Sequence, residues 1–511
     1  MPLSWPQTCL LLAYYGAMLC LAALSLHRVL LAWPWRSRRQ VGAPPELPGS
    51  LPRVTVQLPV FNEADVVERL IDATASLDWP RHLLEIQVLD DSTDETVTLA
   101  AACAARWRER GVEVHHIRGD RTGFKAGALQ RGLGLARGEL IAIFDADFVP
   151  PRDFLRRTVG HFNAADVGLV QVRWGHLNEG ASLLTRVQAL MLDGHFCVEQ
   201  AGRSARGACF NFNGTAGVWR RAAIETAGGW RADTLTEDLD LSYRAQLAGW
   251  RFIYRDDVVA PAELPAEMAA FKGQQHRWTK GSAQTAQRLL PALWRSNLPL
   301  RIKLEATAHL VNNVAYVLIA LLALLMPVVP TAAREMGLRN LGTLDAALWL
   351  LGMGALSVFY VVASRRAGRS PWAALVRLPA LVALGAGISV ANARGVVGAA
   401  LSVPSPFVRT PKRGDAHVPR YRARVGLLPL MELGLAAWLM SGVVSLAQQG
   451  LYATLPMLAV FSAGLLWVGS ASLRQVFTSV RNPASNTVQM TGAVQEDSSQ
   501  ETCAPSVRQT A

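Results

Sequence analysis

The hydrophobic and polar positions of this chain divide it into a mixed-pattern middle flanked by long apolar runs. Residues 9–26 carry no charge, and at about 1.5 Å per residue such a run nearly crosses a hydrocarbon core of about 30 Å. Residues 304–329, 344–363, 426–446 and 451–473 are further runs of spanning character. From Arg53 the pattern changes to short apolar stretches alternating with helical ones. Residues 54–60, 85–89, 112–117, 140–144 and 168–172 read as strands, and 64–77, 94–110 and 125–136 as helices, with Asn62 positioned to cap the first. The β-α-β-α order predicts a parallel sheet covered on both faces. Residues 210–220 and 251–254 read as strands of a second, smaller sheet region.

The resulting organisation is an N-terminal membrane anchor (1–35), a Pro-rich linker (36–52), an α/β domain (53–265), amphipathic interfacial helices (266–300), a membrane region (301–475) and a polar, disordered tail (476–511). Segment 373–401 holds Arg377, Asn392 and Arg394. An arginine at mid-membrane costs about 2.5–3.5 kcal/mol on insertion scales.

Composition agrees with a membrane protein: 51% of residues are hydrophobic and only 18% charged. The net charge of +12 lies beside the apolar runs. Arg36, Arg38 and Arg39 follow the first; Arg365, Arg366 and Arg369 follow 344–363; loop 402–425 holds six basic residues against Asp415. The positive-inside rule puts the N-terminus outside and the α/β domain in the cytoplasm. With both flanking loops inside, 373–401 is expected to lie in the plane of the membrane or to re-enter it, which leaves five crossings. Charge placed this way fits an anionic lipid surface and excludes nucleic acid. Six scattered cysteines without CxxC spacing exclude a zinc site and a disulfide framework.

Candidate chemistry sits where strands and helices end. Asp145 and Asp147, separated by Ala146, follow the 140–144 strand and point to one side. A divalent cation site and a solvated turn both fit that pair alone. Asp90–Asp91 and Glu237–Asp238 are two more acidic pairs, and six carboxylates in one crevice demand cations. Lys125 and Arg121 lie at a helix entry, where they face a phosphate, pair with an aspartate or are simply solvated. Gln274, Arg277 and Trp278 open an amphipathic helix; arginine suits a diphosphate, and tryptophan suits either a sugar face or the membrane interface.

Taken together, Leu58-Pro-Val-Phe-Asn-Glu63, Asp90-Asp-Ser92, Lys125-Ala-Gly-Ala-Leu129, Asp145-Ala-Asp147, Phe212-Asn-Gly-Thr215, Thr236-Glu-Asp238 and Gln274-Gln-His-Arg-Trp278 resemble the processive-type family 2 glycosyltransferases. The branch most resembled is cellulose synthase-like A, the mannan and glucomannan synthases, in its bacterial relatives. The likeness covers about residues 50–290. It implies a GT-A fold, a Rossmann-like mixed sheet inserted between membrane helices, and a nucleotide-diphosphate sugar donor such as UDP-glucose or GDP-mannose. Carried over by position, Asp90, Asp91 and Lys125 would hold the nucleoside, and Asp145 would lie against the donor. Asp147, with Asp145, would bind Mg²⁺ or Mn²⁺. Asp238 would be the general base, with Glu237 and Arg277 beside it in the catalytic set. Phe212, Asn213, Gly214 and Thr215 would lie by the acceptor, and Gln274 and Trp278 would line the pocket. Residues 405–412 loosely resemble the gating segment of cellulose synthases, although a basic membrane-surface loop fits equally well. Asn213-Gly214-Thr215 also reads as a glycosylation sequon, which a cytoplasmic position sets aside.

These expectations describe an inverting hexosyltransferase that extends a β-linked polysaccharide. The competing readings are a transferase that glycosylates a membrane lipid and, remotely, an inactive transferase-like scaffold. The expected partners are a nucleotide sugar, a glycan or glycolipid acceptor and membrane lipid; the sequence leaves oligomeric state open.

Overall fold

A computed structural model describes residues 5–32, 45–338, 341–403 and 426–481. Residues 404–425, which include the gate-like segment, most of the 36–52 linker and the tail from 482 lie outside the described residues.

The middle of the chain is one seven-stranded sheet in the order β3-β2-β1-β4-β6-β5-β7. The strands are β1 (Val54–Val60), β2 (Leu84–Asp90), β3 (Glu113–Arg118), β4 (Leu140–Ile143), β5 (Val167–His176), β6 (Gly217–Arg220) and β7 (Arg251–Ala262). Strands β1 to β4 pair in parallel. Every residue of β2 and β4 is buried, the mark of strands covered on both faces. Alternation divides the two cores. Leu140, Ala142 and Phe144 join Val56, Leu58 and Val88 on one face, while Ile141 and Ile143 join Leu169 and Trp219 on the other.

The sheet corrects the expectation of a second sheet region. Strands β6 and β7 belong to the main sheet, and β6 runs antiparallel to both β4 and β5. The reversal has a positional consequence. Gly217 at the start of β6 pairs with Ile143 at the end of β4, so the preceding residues Asn213–Thr215 arrive at the same sheet edge as Asp145. Strand β5 also runs on to His176 and pairs with β7 as far as Ala262. The ends of β4, β5 and β7 and the turn before β6 thereby meet along one edge.

Six described helices are long and apolar enough to cross a membrane: Trp5–Ala32, Leu300–Leu325, Leu341–Arg366, Pro371–Ala400, Leu428–Gln448 and Leu455–Gln475. The fourth is one continuous helix over the segment expected to lie in-plane or re-enter. Its start touches the α/β side, since Arg377 pairs with Glu179 and the preceding Arg369 with Asp193. Its later turns touch the helix Met268–Arg295, whose His276 Nδ1 lies 2.9 Å from Ala391 O. That 28-residue helix begins before Gln274, where the sequence pattern had opened it. It is tied to the last two helices. Lys272 Nζ lies 2.6 and 2.9 Å from the oxygens of the fully buried Glu432, and Gln475 accepts from Ala269 N.

Candidate functional site

The edge where these strands end is a crevice of about 230 Å³. Asp91, Lys125, Asp145, Asp147, Asn213, Gly214, Glu237, Asp238, Gln274, Arg277 and Trp278 all line it. Residues from six separate stretches of sequence therefore face one volume, as in open α/β sheets generally, where ligands bind off the carboxyl ends of strands.

Lys125 is the hub. It stands at the start of the helix Phe124–Leu135, entered through Gly123 in a left-handed conformation. Its Nζ donates to Asp145 Oδ1 (2.5 Å) and Gly214 O (2.9 Å) and lies 4.0 Å from Glu237. Burial works against its charge, but Asp145 and Glu237 outweigh that and raise its pKa. Gly214 has φ +80°, and a Cβ there would come 3.1 Å from Asp238 Oδ2, so the turn needs glycine for both conformation and space. Thr215 Oγ1 accepts from Asp145 N at 2.9 Å, which locks the turn to the Asp145 strand end.

Glu237 and Asp238 open the helix Glu237–Leu247, and Leu239 N donates to Asp238 Oδ1. Burial, and then Glu237, pushes the Asp238 carboxyl up to about 7; burial also raises Glu237, with Lys125 opposing. A carboxylate with proton affinity near neutrality suits proton abstraction. The segment before it packs closely on the 268–295 helix. A Cβ on Gly281 would lie 2.8 Å from Thr236 N, and Gln284 Oε1 accepts from Leu235 N. This packing brings Gln274, Arg277 and Trp278 over the crevice. Trp278 lies 6.4 Å, centroid to centroid, from Trp174.

The lining holds seven carboxylates: Glu63, Asp91, Asp145, Asp147, Glu237, Asp238 and Glu263. Arg131 and Arg69 pair with Asp91 and Glu263 at 2.6 Å each. Among the described residues, the other five share the lining with Arg121, Lys125 and Arg277. A surplus of hard oxygen donors fits a divalent cation. Among the described residues, Glu85, Glu113 and His115 also cluster. They lie at the opposite ends of β2 and β3 from the crevice, and Arg53 and Arg137 already pair with Glu113.

Three expected site residues do not line the crevice. Asp90 is the last residue of β2 and wholly buried, because neighbouring strand residues point to opposite faces and Asp91 takes the open side. Burial would raise its pKa, but His116, Ser92 and Arg118 hold it well below the usual carboxylate range. Phe212 is fully buried against Trp219 and Trp230. Thr215 is buried, and its contact is with the Asp145 backbone. Asn62 is not a helix cap. Its Oδ1 accepts from Thr93 N, joining the loops after β1 and β2. Trp174 and His176 line the crevice, although the sequence reading ended their strand at Val172. Continuing the alternation Val170, Val172, Trp174, His176 would have found them. Arg121, stacked 3.6 Å from the Phe61 ring centroid, is a further lining residue.

The mixed sheet, with its crevice off the strand ends, has the architecture of the GT-A fold. Residues 52–281 match the family described as Glycosyltransferase like family 2. It is 44% identical over 276 residues to Glucomannan 4-beta-mannosyltransferase 1 of Oryza sativa subsp. japonica, covering 53% of this chain and 52% of the relative. It is 46% identical over 253 residues to Glucomannan 4-beta-mannosyltransferase 2 of Arabidopsis thaliana, covering 48% and 47%. The chain spans about half the length of the curated relatives it matches. Among solved structures it is similar to mannosyltransferase PcManGT from Pyrobaculum calidifontis in complex with GDP-Man and Mn²⁺, at TM-score 0.48 and 23% identity over 78% of this chain and 97% of that one.

Proposed function

We propose that this protein is an inverting membrane hexosyltransferase that adds a hexose from a nucleotide-diphosphate sugar to a growing β-linked polysaccharide, with its α/β domain in the cytoplasm. The observation that carries the reading is Asp238, a carboxyl raised to about 7, facing the crevice with Asp145, Asp147, Lys125 and Arg277. The relatives whose names specify glucomannan mannosyl transfer favour GDP-mannose over UDP-glucose and a polymer over a lipid acceptor.

In the reaction, an acceptor hydroxyl attacks the anomeric carbon as Asp238 takes its proton. The bond from that carbon to the diphosphate oxygen breaks on the opposite side, and configuration inverts. A positioned base contributes about 10²–10⁴-fold. Lys125 and Arg277 offset the charge that develops on the leaving diphosphate. Asp145 and Asp147 would hold Mg²⁺ or Mn²⁺, which supplies further positive charge at the diphosphate. Trp278 and Trp174 offer flat apolar faces for the acceptor sugar. In the membrane part, the 371–400 helix meets Glu179 through Arg377 and the 268–295 helix at Ala391, and an in-plane course for it leaves five crossings.

Purified protein in lipid nanodiscs, incubated with GDP-mannose or UDP-glucose and Mn²⁺ or Mg²⁺, tests the reading. We expect one donor to yield a glycanase-sensitive polymer, and Asp238→Asn to bind nucleotide without turnover. Organic-soluble product would indicate a lipid acceptor. Absence of turnover with either donor would refute the proposal.

A further inference from the structure

The Asn213 side chain is held from behind by residues that no part of the proposed chemistry uses. A single π-helical turn, His195–Gln200, interrupts the helical run behind the crevice, and such turns recur at functional positions. It aims two side chains at one amide. His195 Nε2 lies 2.8 Å from Asn213 Nδ2, and Gln200 Nε2 donates to Asn213 Oδ1 at 2.6 Å.

The proton positions along this chain follow from one fixed end. Asn211 O is a backbone carbonyl and only accepts; Gln200 Nε2 donates to it at 2.8 Å. Gln200 therefore presents its NH₂ to Asn213, whose oxygen must accept. The Asn213 NH₂ then faces His195, whose Nε2 must carry no proton. His195 Nδ1 lies 3.3 Å from Glu199 Oε2 and must hold the remaining proton. Burial would raise the pKa of Glu199, but His195, Arg28 and Arg203 outweigh it and hold this acid ionised, able only to accept.

We propose that His195, neutral and protonated on Nδ1, is a positioning residue that sets the Asn213 amide and with it the acceptor side of the crevice. The inference rests on the reading of Asn213–Thr215 as the acceptor turn. A proton added at Nε2 would oppose two donors. Rotating the Asn213 amide to relieve that would oppose Nδ2 to Gln200 Nε2. Either way Asn213 loses a partner, while Lys125 and Asp238 keep their own contacts. The charged and titratable groups around the dyad include Arg28 and His27 from the first helix, Arg203, Glu305, His309 and Tyr243 beyond it, Tyr316 and Tyr360, and Arg366, which donates to Cys197 O. Arg173 meets the other side of the turn at Cys197 Sγ and does not reach the imidazole.

Two measurements on the full chain in nanodiscs test this. The first is the ¹⁵N-histidine NMR difference between wild type and His195→Gln at pH 8. We expect a neutral Nδ1–H imidazole; an Nε2–H tautomer or an imidazolium overturns the proposal, and this readout needs no turnover. The second is KM for a β-linked manno-oligosaccharide acceptor at pH 8. In His195→Gln it should stay near the wild-type value, because glutamine supplies an acceptor toward Asn213. In His195→Ala it should be raised about fivefold, the scale of one lost hydrogen bond, with kcat little changed. A raised KM in the glutamine variant, or an unchanged KM in the alanine variant, overturns the proposal. If wild-type protein turns over no donor, the transferase reading fails while the tautomer still decides this one.

Discussion

Lys125 Nζ lies 2.5 Å from Asp145 Oδ1 and 4.0 Å from Glu237, so one ammonium joins the Asp145 strand end to the Glu237–Asp238 helix start. Replacing it with methionine keeps the length and removes the charge. Lys125→Met is expected to weaken binding of nucleoside diphosphate by about tenfold or more, since a buried charged hydrogen bond is worth about 1.5–3 kcal/mol. Isothermal titration with GDP and UDP reads the loss.

With Asp238 as the proposed base, its protonation state sets the pH dependence. Its proton is held up to about 7 by burial and by Glu237, and only the deprotonated form acts as base. Turnover at saturating acceptor should rise with pH through about 7 and level off above it. Lys125 opposes that rise in proton affinity, so Lys125→Met should move the limb to higher pH. A limb that stayed in place would detach Lys125 from the base.

Among the described lining residues, carboxylates outnumber basic side chains. Chelating divalent ions should abolish turnover and weaken donor binding, with Mn²⁺ or Mg²⁺ restoring both. Asp147→Asn should raise the metal concentration needed for half-maximal rate by more than tenfold, which a metal titration of the rate measures.

Gly281 is where the 268–295 helix meets Thr236, two residues before Asp238. Valine there must push the two apart. Gly281→Val is expected to lower kcat by at least tenfold, since small misplacements of a reacting group are costly. Nucleotide affinity should fall less than kcat, because Asp91 is fixed separately by Arg131. Comparing kcat with nucleotide affinity separates this from general unfolding.

The strands and the acidic pairs were legible because alternation and strand ends are local properties. Asp145 and Asp147 needed only the end of one apolar stretch. What the sequence hid was pairing at a distance. Nothing local shows that β6 reverses beside β4, yet that reversal delivers Asn213 to Asp145. Asp90 and Asp91 looked equivalent as a motif; the pleat separates them, sending one to His116 and the other to the crevice. His195 carried no motif at all, and its contact with Asn213 arises from a π turn that no periodicity announces.

The Lys272–Glu432 contact means that the helix bearing Gln274, Arg277 and Trp278 is anchored by a carboxylate more than a hundred residues downstream. A water-soluble fragment ending near residue 300 would strand that lysine against nothing and free the very helix that roofs the crevice. Dissection into separate parts is thus the wrong strategy for this molecule, and extraction should preserve the C-terminal hairpin intact.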